Sequence, residues 1–254
     1  MADEEENLKV MGIFEHIDEL RARLVKSVAV LVVMFFVCYN FAPEILGFLK
    51  IPLVAALPPN TPSLYFTGPM DVFMANVKLG FFTATIISCP IWLYQLWKFL
   101  EPALYETEKK YILPFMFFSI SLFLAGVALC YYVVLPIALE YLIGLGKEMG
   151  TTAIITISDY LSLVMLMMLG FGLVFETPIV LVLLALLDLI SADTLRSNRR
   201  VIVVIITIVA AIATPTPDPI SMLAMAFPMW LLFEGSILVI AWLKREKPAD
   251  TKAG

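Results

Sequence analysis

Tyr111-Ile-Leu-Pro-Phe-Met-Phe-Phe-Ser-Ile-Ser-Leu-Phe-Leu-Ala-Gly-Val-Ala-Leu-Cys-Tyr-Tyr-Val-Val-Leu135 contains no charged residue, and none follows until Glu140. A helix of this length extends about 37 Å at 1.5 Å per residue. The hydrocarbon core of a bilayer is about 30 Å thick, so this stretch reads as a membrane-spanning helix. The rest of the chain agrees. Of its 254 residues, 61% are apolar and only 15% charged, against about 45–50% and about 25% in ordinary globular domains. A soluble domain of this composition would expose large apolar patches and associate. The balance excludes a simple cytosolic protein and a disordered chain. A net charge of −5 excludes a basic nucleic-acid binder.

Working outward, six apolar runs are long enough to consider as spans: 24–42, 76–97, 111–135, 158–187, 201–213 and 220–243. Ile51–Met70 is also uncharged but carries Pro52, Pro58, Pro59, Pro62 and Pro69. That excludes a continuous helix and predicts an extramembrane cap or loop. Six spans put both termini on one side. On that side fall Lys9, Arg21, Arg23, Lys26, Lys98, Lys109, Lys110, Arg196, Arg199, Arg200, Lys244, Arg245, Lys247 and Lys252, fourteen cations in all. The opposite side holds Lys50 and Lys147. The excess of cations marks the cytoplasmic face. Trp92, Tyr94, Trp97 and Trp242 are expected at the same interface.

The expected fold is therefore an all-α integral membrane protein. Six transmembrane helices of unequal length form a concave bundle, with both termini cytoplasmic. Residues 1–23 form a cytoplasmic segment with an amphipathic helix, 24–243 a single membrane domain, and 244–254 a cytoplasmic tail. The span 201–213 reaches only about 20 Å, whereas 158–187 reaches about 45 Å and must tilt or kink. Pro178 is the expected kink, because it lacks an N–H and clashes with the Val174 carbonyl. The acidic start Asp3-Glu4-Glu5-Glu6 is unlike a secretory signal.

Few residues carry chemistry. The single histidine, His16, excludes a bis-histidine haem and a His-rich metal centre, and no cofactor or metal is expected. Cys38, Cys89 and Cys130 stand singly in apolar runs, as buried cysteines do. A charge at mid-membrane costs about 2.5–3.5 kcal/mol on insertion scales. Glu176 and Glu234 nevertheless stand within the fourth and sixth runs. They read as polar docking points, ion sites or internal helix pairs. Lys78 lies near the outer end of its run and is expected to snorkel.

Five segments together resemble one family, TatC, the large membrane subunit of the twin-arginine protein translocase. They are His16-x-x-Glu19-Leu20-Arg21-x-Arg23; Pro90-Ile91-Trp92-Leu93-Tyr94-Gln95 leading into Glu101-Pro102-Ala103-Leu104-Tyr105-x-x-Glu108-Lys109; Phe175-Glu176-x-Pro178; Thr214-Pro215…Asp218; and Pro228…Phe233-Glu234. The resemblance runs from about Phe14 to about Leu243. It implies a receptor for signal peptides with consecutive arginines on folded cargo, working in multiple copies with the single-span subunits TatA and TatB in a bacterial inner membrane. It assigns signal contact to Glu19 and Glu108. Glu101, Phe99 and Arg21 complete that surface. Glu176 and Glu234 are assigned to partner-helix docking. The chemistry fits, because a guanidinium fork pairs bidentately with a carboxylate and an ammonium does not. With no G-x-x-x-x-G-K-[ST] motif, the driving force implied is the proton-motive force. One departure is Met222, where relatives often carry Gln.

Two rival readings fit the residues less well. A small-solute or ion secondary transporter also uses midplane carboxyls and broken helices, but the two halves of this chain share no motif. An intramembrane enzyme is disfavoured, because a Ser–His pair or H-E-x-x-H needs histidines within the membrane.

Overall fold

The computed structural model describes residues 13–58, 64–103, 112–150, 154–214 and 219–245. Among them the chain is helical, with no strand beyond an isolated bridge between Tyr65 and Thr156. In order the helices are α1 (Ile13–Tyr39), α2 (Ala42–Leu49), α3 (Ile51–Ala56), α4 (Pro69–Ile87), α5 (Cys89–Leu100), α6 (Ile112–Leu129), α7 (Leu135–Glu148), α8 (Ile157–Val174), α9 (Thr177–Leu186), α10 (Ala192–Ser197), α11 (Arg199–Ala213) and α12 (Pro219–Arg245). Five described stretches are long and apolar enough to cross a bilayer: Phe14–Tyr39, Pro69–Ile87, Ile112–Glu148, Ile157–Leu186 and Ser221–Leu243. Helix α11 has 15 residues, about 22 Å, and falls short of the hydrocarbon thickness.

Helix boundaries follow the prolines, and several differ from the expected spans. Helix α1 is unbroken from Ile13 to Tyr39, so the amphipathic stretch before residue 24 and the first apolar run are one rod. The expected span 76–97 is two helices. Helix α4 starts earlier, at Pro69, and ends at Ile87 with Ser88 as its cap, and α5 restarts with Pro90 in its first turn. Pro90 has no N–H to continue the ladder. The Ile91 and Trp92 amides instead both donate to the Ser88 carbonyl, at 2.9 and 3.1 Å. The third run does not end at Leu135. A wide π turn over Cys130–Val134 carries the helix past Pro136 and on to Glu148. Such a bulge makes room for a residue that the α ladder cannot accommodate. The fourth run breaks where Pro178 predicts. Pro178 cannot serve the Val174 carbonyl, and the Thr177 hydroxyl donates to it instead, at 2.6 Å.

The proline-rich 51–70 stretch is not one helix, as expected, although its first residues form α3. Two tyrosines hold this region to the bundle. Tyr131 Oη donates to the Phe48 carbonyl at 2.8 Å, and Tyr160 Oη to the Leu49 carbonyl at 2.6 Å. Both carbonyls belong to the last turn of α2, where intrahelical donors run out. The Tyr65 amide and carbonyl pair with Ile155 and Ile157 and fix the loop against the start of α8.

The core centres on α6 and α8. Phe123, Leu135, Leu161, Met167 and Phe171 are fully buried. Small residues allow this approach, as in membrane helix pairs generally. A Cβ on Gly126 would lie 2.7 Å from the Phe171 carbonyl oxygen, and one on Gly172 would lie 2.7 Å from the Phe123 ring. Trp92 and Trp97 pack inward against the bundle. Trp92 packs edge-on to Phe123 and donates to the Thr85 carbonyl, and Trp97 is buried beside Phe115. Tyr94 and Trp242 are exposed. Outward-facing apolar side chains such as Leu113, Phe117, Leu166 and Leu238 are exposed, as a lipid-facing surface requires.

Candidate functional site

Two helical stripes meet at the end of the bundle where α1 begins and α5 ends. On α1 the stripe is His16, Glu19, Leu20 and Arg23. On α5 it is Trp92, Gln95, Leu96 and Phe99. Each has the i, i+3, i+4, i+7 spacing that lines up one helix face. The His16 ring stacks on Phe99 with centroids 4.3 Å apart and planes 16° apart. Arg23 reaches across to Gln95, donating from Nη1 to Oε1 at 3.4 Å. Leu20, Arg23, Leu24, Ser27, Trp92, Gln95, Leu96 and Phe99 enclose a groove of about 320 Å³. Its walls are mostly apolar; Glu19 precedes Leu20 on α1 and reaches the groove through its bond to Arg23 rather than by lining it.

The Glu19 carboxylate is the chemical centre of this arrangement. Arg23, one turn along, places both Nε and Nη2 on the same oxygen, Oε1, with the Nε contact at 2.9 Å. A fork-to-fork pair would satisfy both oxygens. Here Oε2 is buried with no hydrogen-bond partner among the described residues. Glu19 and Arg23 side chains are each 18% exposed. The carboxylate is therefore held in place by one guanidinium while keeping acceptor capacity for a second donor.

The other expected signal-contact residues fall as follows. Phe99 joins the groove wall. Glu101 follows α5 in a 3₁₀ turn and pairs with Lys98, whose ammonium the carboxylate holds above its ordinary range. Arg21 is exposed on α1, outside the groove lining. Glu108 lies outside the described residues, with Tyr105 and Lys109. Arg23, Gln95 and His16 were not singled out as site residues. The Glu19–Arg23 spacing of four was a usable signal. The approach of Gln95 was not.

The two acids of the membrane region occupy different settings. Glu176 stands at the α8–α9 break and is half-buried. Ser119 of α6, itself buried, donates to Glu176 Oε2 at 2.6 Å. Oε1 is buried without a partner among the described residues. Glu234 on α12 instead accepts from Arg199 at the start of α11, at 2.7 Å. The structure does not bring the two acids into one cluster. An apolar groove of about 270 Å³ runs between α8–α9, α11 and α12, lined by Val174, Thr177, Ile206, Met229 and Phe233 among others. Among the described residues no group of three His, Cys, Asp or Glu side chains is placed to hold a metal ion.

The chain is similar to proteins of one known family. The family model described as TatC, Sec-independent protein translocase protein, matches residues 15–228. A Sec-independent protein translocase protein TatC from Koribacter versatilis is 38% identical over 235 residues, covering 92% of this chain and 86% of the relative. The Helicobacter pylori (strain J99) protein of the same name is 40% identical over 237 residues, covering 93% and 91%. A crystal structure of the twin arginine translocase receptor TatC superposes with a TM-score of 0.76 at 34% identity, covering 91% of this chain and all of that one. With an all-helical fold, several membrane-length helices and a family match over most of its length, the chain is a multi-pass membrane protein and belongs to the TatC family of Sec-independent protein translocase proteins.

Proposed function

We propose that this protein is the signal-peptide receptor and core subunit of a twin-arginine translocase. It recognises Arg-Arg signals on folded cargo, and docks the single-span subunits TatA and TatB for export driven by the proton-motive force. The chain crosses a bacterial inner membrane six times, α11 making the short fifth span, with both termini cytoplasmic. The observation that carries the reading is Glu19. Its carboxylate is oriented by Arg23, a residue of the groove lining, and keeps one buried oxygen without a donor among the described residues. A signal arginine would displace the side chains that cover that oxygen and place its guanidinium on it, and Glu108 would take the second arginine. A lysine offers a compact ammonium without the planar fork. Equilibrium binding of a labelled signal peptide to the protein in nanodiscs tests this. An Arg-Arg peptide is expected to bind at least about tenfold tighter than its Lys-Lys counterpart, a difference of about 1.4 kcal/mol. Equal affinities would sink the reading.

Glu176 serves the second task. A carboxyl with one oxygen tied to Ser119 and the other without a partner among the described residues offers a polar point for a single-span partner helix. Polar contacts between membrane helices contribute about 1–2 kcal/mol in model peptides. Glu176→Leu is therefore expected to lower partner crosslinking or co-purification several-fold while leaving Arg-Arg peptide affinity within about twofold. Glu176→Gln, which keeps hydrogen-bonding capacity, should lose less. If signal binding fell as far as partner docking, the separation of the two sites would be wrong.

A further inference from the structure

Lys78 stands in the third turn of α4 and projects toward α8. Its ammonium donates to Ser158 Oγ at 3.1 Å and to Ser162 Oγ at 2.9 Å. Lys78 therefore does not simply snorkel into water, as its position predicted. It is bound between two helices by neutral acceptors. Ser162 spends its own hydroxyl hydrogen on the Ser158 carbonyl, at 2.7 Å. Two acceptors meet three N–H bonds, and the Ser158 hydroxyl hydrogen has no acceptor among the described residues. No carboxylate lies within ion-pair distance of Lys78 among those residues. Asp71, two turns back on α4, accepts from the Thr67 amide and hydroxyl. Asp159, beside Ser158, accepts from Thr156.

Among the described residues no carboxylate is in direct contact with Lys78, and Asp71, held by Thr67, acts on it only at longer range and as the weakest of its own interactions. Lys78 is half-buried between the buried Ala75 and Leu79, and Ser162 is exposed. Ser158 and Ser162 are the second and sixth residues of α8. The ammonium therefore sits about 2–8 Å along the axis from the start of that helix. That depth is within reach of a headgroup phosphate at the membrane face where α8 begins.

We propose that Lys78, Ser158 and Ser162 form a binding site for the phosphate of an anionic phospholipid in the leaflet at the α8 start. The phosphate accepts from the remaining Lys78 N–H and from the Ser158 hydroxyl and supplies a counter-charge in direct contact. Selectivity for a net-anionic lipid follows. In phosphatidylcholine the quaternary amine already offsets the phosphate.

Native mass spectrometry of the delipidated full-length protein in mild detergent tests the site. Phosphatidylglycerol, phosphatidylcholine and free glycerol phosphate are added in separate titrations. Wild type is expected to retain one phosphatidylglycerol more than Lys78→Met, with Lys78→Arg keeping it. Phosphatidylcholine and glycerol phosphate should show no such difference. Ser158→Ala, which keeps the cation and removes one hydroxyl, should weaken that lipid several-fold, and it decides the matter if Lys78→Met does not fold. Equal phosphatidylglycerol retention by wild type and the variants would overturn the proposal. So would equal retention of phosphatidylcholine at this position. Retention of glycerol phosphate in its place would replace the lipid by a soluble phosphate.

Discussion

Replacing Glu19 with alanine is expected to weaken binding of an Arg-Arg signal peptide by about 2–5 kcal/mol, the range seen when one partner of a desolvated, hydrogen-bonded charge pair is removed. The size follows from burial. Glu19 and Arg23 are mostly withdrawn from solvent, so screening is weaker than for a surface pair, whose net contribution is about 0–1 kcal/mol. Alanine also strands the Arg23 guanidinium, leaving it, among the described residues, the long contact to Gln95. Part of the loss would then be a stability effect. Glu19→Gln separates the two. Its amide oxygen still accepts from Arg23, so folding should hold near wild type, yet the charge that attracts the signal is gone. Peptide affinity measured by fluorescence anisotropy, with thermal unfolding in parallel, should fall for both variants, and stability should fall mainly for alanine. If Glu19→Gln bound Arg-Arg peptide like wild type, charge at this position would not be the recognition element.

The second large effect lies in the bundle core. Gly126→Leu is expected to destabilise the protein by about 1–3 kcal/mol or more, the usual cost of overpacking. A Cβ at this position would meet the Phe171 carbonyl oxygen at 2.7 Å and the Phe175 side chain at 2.9 Å. A backbone carbonyl cannot rotate aside, so α8 itself must move away from α6. At Gly172 the obstacle is the Phe123 ring, a side chain with some freedom, so Gly172→Leu should cost less. Gly170 has open space where a Cβ would go, and Gly170→Ala serves as the control. Thermal unfolding midpoints in detergent should rank Gly126→Leu lowest, then Gly172→Leu, with Gly170→Ala near wild type. The Gly126 substitution also displaces Phe175, the neighbour of Glu176. Partner docking should therefore suffer with it, even where the protein remains folded.

What the sequence revealed and what it concealed divide along a physical line. Membrane class was legible because lipid demands long apolar helices, and 111–135 has that length without a charge. The break at Pro178 was legible because a missing N–H acts locally. The break at Ser88 was hidden inside a continuously apolar run, and Pro90 was not read as ending a helix. The passage of α6 into α7 was hidden for the opposite reason. Pro136 and the more polar residues after it suggest an end, and a π turn absorbs the proline instead. Glu19 and Glu176 were legible as acids in costly or motif-bearing places. Their partners were not equally so. Arg23 lies four residues from Glu19, but Gln95 meets Arg23 across 72 residues, Ser119 meets Glu176 across 57 and Lys78 meets Ser158 across 80. Such pairings arise from tertiary packing, and no local pattern encodes them. The same holds for Glu234, whose pairing with Arg199 joins α12 to the start of α11.

The most direct test of the account is a crosslink from the groove beside Glu19. A photoreactive phenylalanine analogue at Leu20, in the full-length protein in membranes, would be presented with Arg-Arg and Lys-Lys versions of one signal peptide. The account predicts strong crosslinking to the Arg-Arg peptide, reduced at least about tenfold for Lys-Lys because an ammonium cannot match the guanidinium fork. Equal crosslinking of the two peptides, or none to either, would contradict it.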